Sequence, residues 1–410
     1  MNRRNFLCAG IGGFAWSNLA MMRSASAMSS DRVLVVLFMR GGWDGLNVTV
    51  PYGDSAYYSL RPNIAIPEPR KGGPEAALDL DGFFGFHPSM TAFHDLYQKG
   101  MVAVMPAVQY AAASRSHFAG QDVIESGMLA QGDNGWLARY IQAAGKNPAI
   151  SAVSISEQMP RSLFGLSIPP LVIPGLSGLS LAASQSDLPV VEKLINTAYS
   201  RSTRSGNPYA SSLYEIGREL TARLAELQNA GSTYVSADAG YPVSTLGRSL
   251  SQASALIKAR LGVEVIALNA NGWDTHAAQG GSHPQARMSG LLADVSDSIG
   301  AFFYDLGVDA SRVLLLTATE FGRTAAENGS EGTDHGNAST WMAVGPNVRG
   351  GVYLGSGWPG LDPSSLYEGR YLSHTIDFRT IYAEILQGFV GFSNVSEILP
   401  NSPRQILGIV

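Results

Sequence analysis

The chain has 410 residues, 45% of them hydrophobic and only 15% charged, with a formal net charge of −5. This is ample apolar material for one large core or two smaller ones. The slightly acidic balance argues against nucleic acid or an anionic membrane surface as main partner, because both need a basic footprint, and it leaves small-molecule chemistry as the favoured class.

Met1 to Ala27 reads as a targeting segment. Arg3-Arg4-Asn5-Phe6-Leu7 is a twin-arginine pattern, Cys8 to Leu19 is a short, glycine-interrupted apolar run, and Ala25-Ser26-Ala27 fits a small-residue cleavage site. The expectation is twin-arginine export to the periplasm of a single mature domain, 28–410. Cys8 is the only cysteine, so a metal site in the mature part would use His and carboxylates. No later segment is long and apolar enough to span a bilayer.

Val33 to Met39 is an unbroken apolar run, the pattern of a strand buried on both faces. It ends in Arg40-Gly41-Gly42-Trp43-Asp44-Gly45, where Asp44 is either a helix cap or a ligand. Pro51 to Phe86 reads as a long Pro- and Gly-rich connection, and His87-Pro88 opens a helix through Tyr97 in which His94 packs rather than ligates. Met101 to Ala107 is a second buried strand. It leads to Ser114-Arg115-Ser116-His117, ahead of a helix expected over Asp122 to Leu129, with Ser116 near its N-terminus as an anion site, or with Ser114 or Ser116 as a simple cap.

A helix follows from Gly135 to Ile141 and a strand from Ile150 to Ile155. The region 157–240 begins broken by Pro and Gly and reads as a cap, insertion or irregular edge. Helical spacing returns at Asp187 to Ser200 and Ser211 to Gln228. Leu246 to Leu261 is a further amphipathic helix, and Val263 to Leu268 a strand running into Gly272-Trp273-Asp274-Thr275-His276. Two strands thus end in Gly-Trp-Asp, and Asp274 and His276 can turn toward one ion. Gln285 to Leu306 is a long helix that delivers the chain to Arg312 to Pro346. There a strand, a polar loop with Glu320, Arg323, Asp334 and His335, and a second strand at Trp341 to Val344 follow one another. The last helix spans Thr380 to Leu386, capped by Ser373 or Thr375 with Asp377 in its first turn.

Gathered beyond the strand ends, where α/β sheets bind ligands, are Asp44, Ser116, Asp274, His276, Glu320, Asp334 and His335. Aspartate, glutamate and histidine without cysteine suit zinc, manganese or magnesium. Carboxylates crowded this way would repel unless a cation joined them. A metal of this kind would activate a hydroxyl and clamp a tetrahedral anion, as cleavage of a phosphate or sulfate ester requires. Arg40, Arg115 and Arg323 are candidates to hold that anion, with Arg323 ahead.

The junctions FMRGGWDGLN, SRSHFAGQD, NGWDTH, TATEFGRT and TDHGN, with the twin-arginine start, resemble the bacterial exported family of domain of unknown function 1501. That family is similar in its core to the alkaline phosphatase and sulfatase superfamily. The resemblance implies an α/β fold with a three-layer alkaline phosphatase-like core and a central mostly parallel sheet. It implies Asp274, His276 and His335 on a first metal, and Asp44, Glu320 and Ser116 on a second, with Asp334 or His117 as substitutes. Phe321 stands where the superfamily has an imidazole, so one divalent metal is expected rather than two. The expected function is an exported metal-dependent hydrolase or transferase acting on a small anionic ester, with Ser116 as nucleophile. The alternative is a non-catalytic binding or assembly protein of the same fold.

Overall fold

Apolar runs without alternation become strands whose two sides enter two different cores. In the computed structural model, which describes residues 31–71, 73–130, 132–146, 151–167, 169–176, 193, 197, 226–234, 238–403 and 405–410, the first run is strand β1 (Val33–Arg40). Val33, Val35, Leu37 and Met39 enter one core, and Leu34, Val36 and Phe38 the other. The first core is completed by the helices Thr91–Gln98, Thr245–Lys258 and Arg287–Leu306 through residues such as Phe93, Leu256, Leu292 and Phe302. The second takes Trp136, Ile141, Phe378 and Tyr382 from the helices Trp136–Ala143 and Phe378–Glu384. Helices therefore cover both faces of one sheet, which is why its strands carry no polar side.

The other strands are β2 (Thr49–Val50), β3 (Leu78–Asp79), β4 (Gly85–Phe86), β5 (Val102–Gln109), β6 (Ala152–Ile155), β7 (Leu171–Ile173), β8 (Val265–Asn271), β9 (Val313–Ala318), β10 (Ser339–Val344), β11 (Gly351–Val352) and β12 (Ile376–Asp377). The main sheet runs β11-β5-β10-β9-β1-β8-β6-β7, with β12 also on β5. All its pairings are parallel except those of β10, which is antiparallel to both β9 and β5. The carboxyl ends of β1, β5, β8 and β9 and the amino end of β10 therefore share one edge. Arg32–Val410 forms one compact unit, and it has the expected α/β architecture with a central mostly parallel sheet. No helix among the described residues is long and apolar enough to cross a membrane.

Several expectations change in detail. Pro51 to Phe86 is more than a connection: it holds the helix Ser55–Leu60 and most of a small antiparallel sheet, β2-β4-β3. The helix after Ser116 spans His117–Ser126, five residues earlier than expected, because Ser116 itself takes the N-cap position. The last long helix is capped by Asp377, whose carboxylate accepts from the Arg379 amide, rather than by Ser373 or Thr375. The described start of 157–240 supplies β7, an edge strand of the main sheet. The targeting segment, the helix at Asp187 to Ser200 but for residues 193 and 197, and all but the end of Ser211 to Gln228 lie outside the described residues.

Candidate functional site

Three imidazoles and one carboxylate meet at the shared edge, brought there by three strands. Asp274 and His276 follow β8, His117 opens the helix after β5, and His335 precedes β10. Asp274 Oδ1 lies 3.0 Å from His276 Nε2 and 3.2 Å from His335 Nε2, while Asp274 Oδ2 lies 3.5 Å from His117 Nε2. His276 Nε2 and His335 Nε2 are 3.1 Å apart. Ligand atoms of His117, Asp274 and His335 all lie within 4.8 Å of one another.

Each ring is held by its other nitrogen. His117 Nδ1 donates to Glu320 Oε1 at 2.8 Å, His276 Nδ1 to Asp334 Oδ1 at 3.0 Å, and His335 Nδ1 to the Arg115 carbonyl at 2.8 Å. A carbonyl or carboxylate can only accept, so these partners assign the proton to Nδ1 and leave the three Nε2 atoms as bare lone pairs in the neutral rings. His117 Nε2 is buried and has no hydrogen-bond partner among the described residues. Bare nitrogens facing one another repel unless a proton or a cation stands between them. Donors 2.0–2.2 Å from one zinc would be roughly 3 Å apart, as those of Asp274, His276 and His335 are, and His117 Nε2 reaches Asp274 Oδ2 at 3.5 Å.

The carboxylates thus divide into one that faces the cluster and two that stand behind it. Glu320 is fully buried and also accepts from the Gly41 amide and Gln121. Burial alone would raise its carboxyl, but the hydrogen bonds from His117 and Gln121 prevail and lower it. Glu320 in turn raises His117 above the usual imidazole range, mainly through their hydrogen bond. The His276 hydrogen bond lowers Asp334, which is also held by Asn328. For Asp274, burial acts upward, yet the Arg323 hydrogen bond and charge, with His276 and His117, bring it down to about 2. Expected as ligands, Glu320 and Asp334 instead orient imidazoles, and the feared crowding of carboxylates is relieved because two of them sit behind rings.

The other expected site residues are placed differently from one another. Asp44 does not face the cluster: its buried carboxylate is bidentate to Arg61 at 2.5 and 2.9 Å and accepts from Gln279 at 2.7 Å. Arg323 does not face open space either. Its buried guanidinium donates to the carbonyls of Gly41, Gly42, Trp273 and Thr333 and to Asp274 Oδ1, so it braces three loops and cannot hold a substrate anion. Arg40 pairs with Glu125. The Arg115 side chain turns to Glu368, at 3.2 Å, while its carbonyl serves His335. Ser116 is exposed and its hydroxyl makes no capping bond, which leaves both it and the first turn of the helix uncapped.

Phe321 lies where a second imidazole was looked for. Its ring is fully buried, 4.9 Å from that of His117 and 4.8 Å from that of His335. Gly42 makes this possible: its φ is +68°, and a Cβ there would meet the phenyl carbons at 2.6 Å. His117 and Arg61 are the members that sequence reasoning placed least well. His117 had a visible signal, an imidazole one residue after a candidate nucleophile at a strand end, whereas Arg61 sits in a segment without periodicity.

The family described as Protein of unknown function (DUF1501) matches the chain over residues 177–398. The match takes in Asp274, His276, Arg323, Asp334 and His335 and begins beyond His117. A search of curated proteins finds no match.

Proposed function

The chain belongs to the DUF1501 family, and from that premise and the cluster above we propose an exported, metal-dependent hydrolase or transferase acting on a phosphate or sulfate ester, in an alkaline phosphatase-like three-layer fold. One observation carries the reading: His276 and His335 turn Nε2 to each other and to Asp274, His117 turns Nε2 to Asp274, and each ring is fixed from behind through Nδ1. His117, Asp274, His276 and His335 would hold one divalent ion, zinc or manganese by donor type. When bound, such an ion supplies Lewis-acid polarisation of an ester oxygen and lowers the pKa of a neighbouring hydroxyl.

The protein's own groups do the rest. The uncapped amides at the start of His117–Ser126 favour a negative charge next to His117. Ser116, at that same helix end and next to His117, would attack the ester, and Arg323 keeps the loops carrying the donors in fixed register. Phe321 fills the space against two of the rings, in keeping with one ion rather than two.

Among the described residues no base is hydrogen-bonded to the Ser116 hydroxyl, which favours a second reading, an assembly or binding protein that keeps the ion as a structural element. Metal analysis of folded protein, with thermal shifts on adding zinc or manganese, tests both. No bound ion and no shift would sink the enzyme and the structural-metal readings together. With metal bound, turnover of aryl phosphates or sulfates that Ser116→Ala removes supports the enzyme. Metal binding with no turnover in either form supports the second reading. His335→Ala is expected to abolish tight metal binding in either case.

A further inference from the structure

Arg323 is fully engaged, yet two other guanidinium groups stand at the rim of the cluster. Arg115 and Arg370 both lie over the ring of Tyr371, at 4.6 and 5.6 Å from its centre. Tyr371 is a firm base for them: it is buried, and its backbone bridges to Thr324 and Tyr367. Arg115 is one hydrogen bond from a donor ring, through its carbonyl on His335, and Ser116 and His117 follow it directly. Arg370 is near enough to act on Asp334, though less than the hydrogen bond from His276 does.

Neither guanidinium is committed to the fold. Arg370 is exposed, and among the described residues no carboxylate pairs with it. The partner of Arg115 is Glu368, with the two side chains 36% and 47% exposed. An ion pair in that solvent-screened setting is weak, so another oxyanion can displace Glu368. Guanidinium forks bind carboxylate, sulfate and phosphate bidentately, and stacking on an aromatic ring pre-orients them at little entropic cost. Two such forks over one buried ring, beside an ester-cleaving centre, form an anion subsite with an exchangeable internal occupant.

We infer that Arg115, Tyr371 and Arg370 form a subsite for a second anionic group of the substrate, a carboxylate or sulfate carried on the part of the molecule beyond the ester. The inference rests on the proposed ester chemistry and specifies its substrate class: dianionic or polyanionic esters in preference to singly charged ones. Glu368 stands in for that group in the empty protein.

Calorimetric binding to the zinc-loaded protein tests this without turnover, using phenylphosphonate against its 4-carboxy and 4-sulfo derivatives. The derivatives should bind about tenfold more tightly, the worth of one or two charge-assisted hydrogen bonds. In the double variant Arg115→Ala, Arg370→Ala that advantage should vanish while phenylphosphonate binds as before, and in Glu368→Gln it should increase. A gain with the sulfo derivative alone would identify the group as a sulfate, and a gain with the carboxy derivative alone as a carboxylate. Equal affinity for all three probes, or an advantage that survives the double variant, would overturn the subsite and leave the ester reading standing. No binding of any probe would overturn both.

Discussion

Gly42-Trp43-Asp44 and Gly272-Trp273-Asp274 follow neighbouring parallel strands, yet the Asp44 side chain is 1% exposed and that of Asp274 is 45% exposed. The ladder pairs Arg40 with Asn271, so the two tripeptides enter their loops one residue out of phase. In a structure of period two, such an offset separates side chains that the letters alone would place together. The indoles still meet, edge to face at 5.4 Å, but Trp43 donates to the Thr340 carbonyl while Trp273 Nε1 has no partner. Beyond them, Asp44 caps nothing and is claimed on both oxygens by Arg61, with Gln279 and a short helix behind it. Asp274 gives only Oδ1 to Arg323 and keeps Oδ2 toward His117. What separates a structural carboxylate from a candidate ligand is how much of it an arginine has already taken.

The closed side should fail through stability and the open side through metal affinity. The largest effect is expected from Arg61→Ala, which leaves Asp44 charged, buried and unpaired. Loss of one partner of a buried pair costs about 3–5 kcal/mol, to be read from denaturant unfolding, with little change in zinc affinity of the molecules that remain folded. An unchanged unfolding midpoint would mean that Asp44 does not depend on this pair.

His87 belongs to the same closed side and gives it a pH signature. Burial lowers its pKa to about 4, against smaller upward effects of the Gly281 carbonyl and Asp44. Its Nε2 faces that carbonyl while its Nδ1 accepts from the Ser89 amide, so the neutral ring is the one the fold requires. The unfolded chain takes up a proton near pH 6.5 and the folded one only near pH 4, so stability is complete above the first value and declines as the pH falls between them. The loss should be about 2–3 kcal/mol by pH 4, and His87→Gln should flatten that limb of the stability profile. A wild-type profile already flat over this window would refute the assignment.

On the open side, Asp334→Asn keeps the shape but removes the obligate acceptor behind His276. Outer partners of this kind are worth about 10- to 100-fold in metal affinity, measurable by zinc titration, while the unfolding midpoint of the metal-free protein should hardly move. Unchanged zinc affinity would show that His276 needs no such brace or takes no part in binding.

The strands were legible because a sheet covered on both faces selects unbroken apolar runs, as in Val33 to Met39 and Val313 to Thr317. Asp274, His276 and His335 were legible for a related reason: polar residues at the ends of such runs have only one edge to occupy. The pairings were not. Glu320 and His117 are 203 positions apart, and Asp44 and Gln279 are 235 apart, and no local pattern reports such contacts. Arg323 looked like an anion holder because its chemistry suits that role, but loop carbonyls with no strand partner needed a donor and took it first. Ser116 was read as one of two candidate caps near a helix start and it takes the N-cap position, but the helix begins at His117 and not at Asp122, because no residue between them stops it.

Arg323 also sets an order of events as the chain is made. It joins carbonyls 281 and 282 positions upstream to one 50 positions upstream and another 10 downstream, so contacts of both extreme and local range close through a single side chain. Long-range closure comes late in folding because its entropic cost precedes its reward. A nascent polypeptide that has emerged only through the loop after β8 therefore holds Asp274 and His276 without the brace of Arg323 and lacks His335 altogether. Under the proposed metal role, capture of an ion by the complete donor set would follow synthesis of β9 and its loop, and the ion would report that the chain has been made as far as His335.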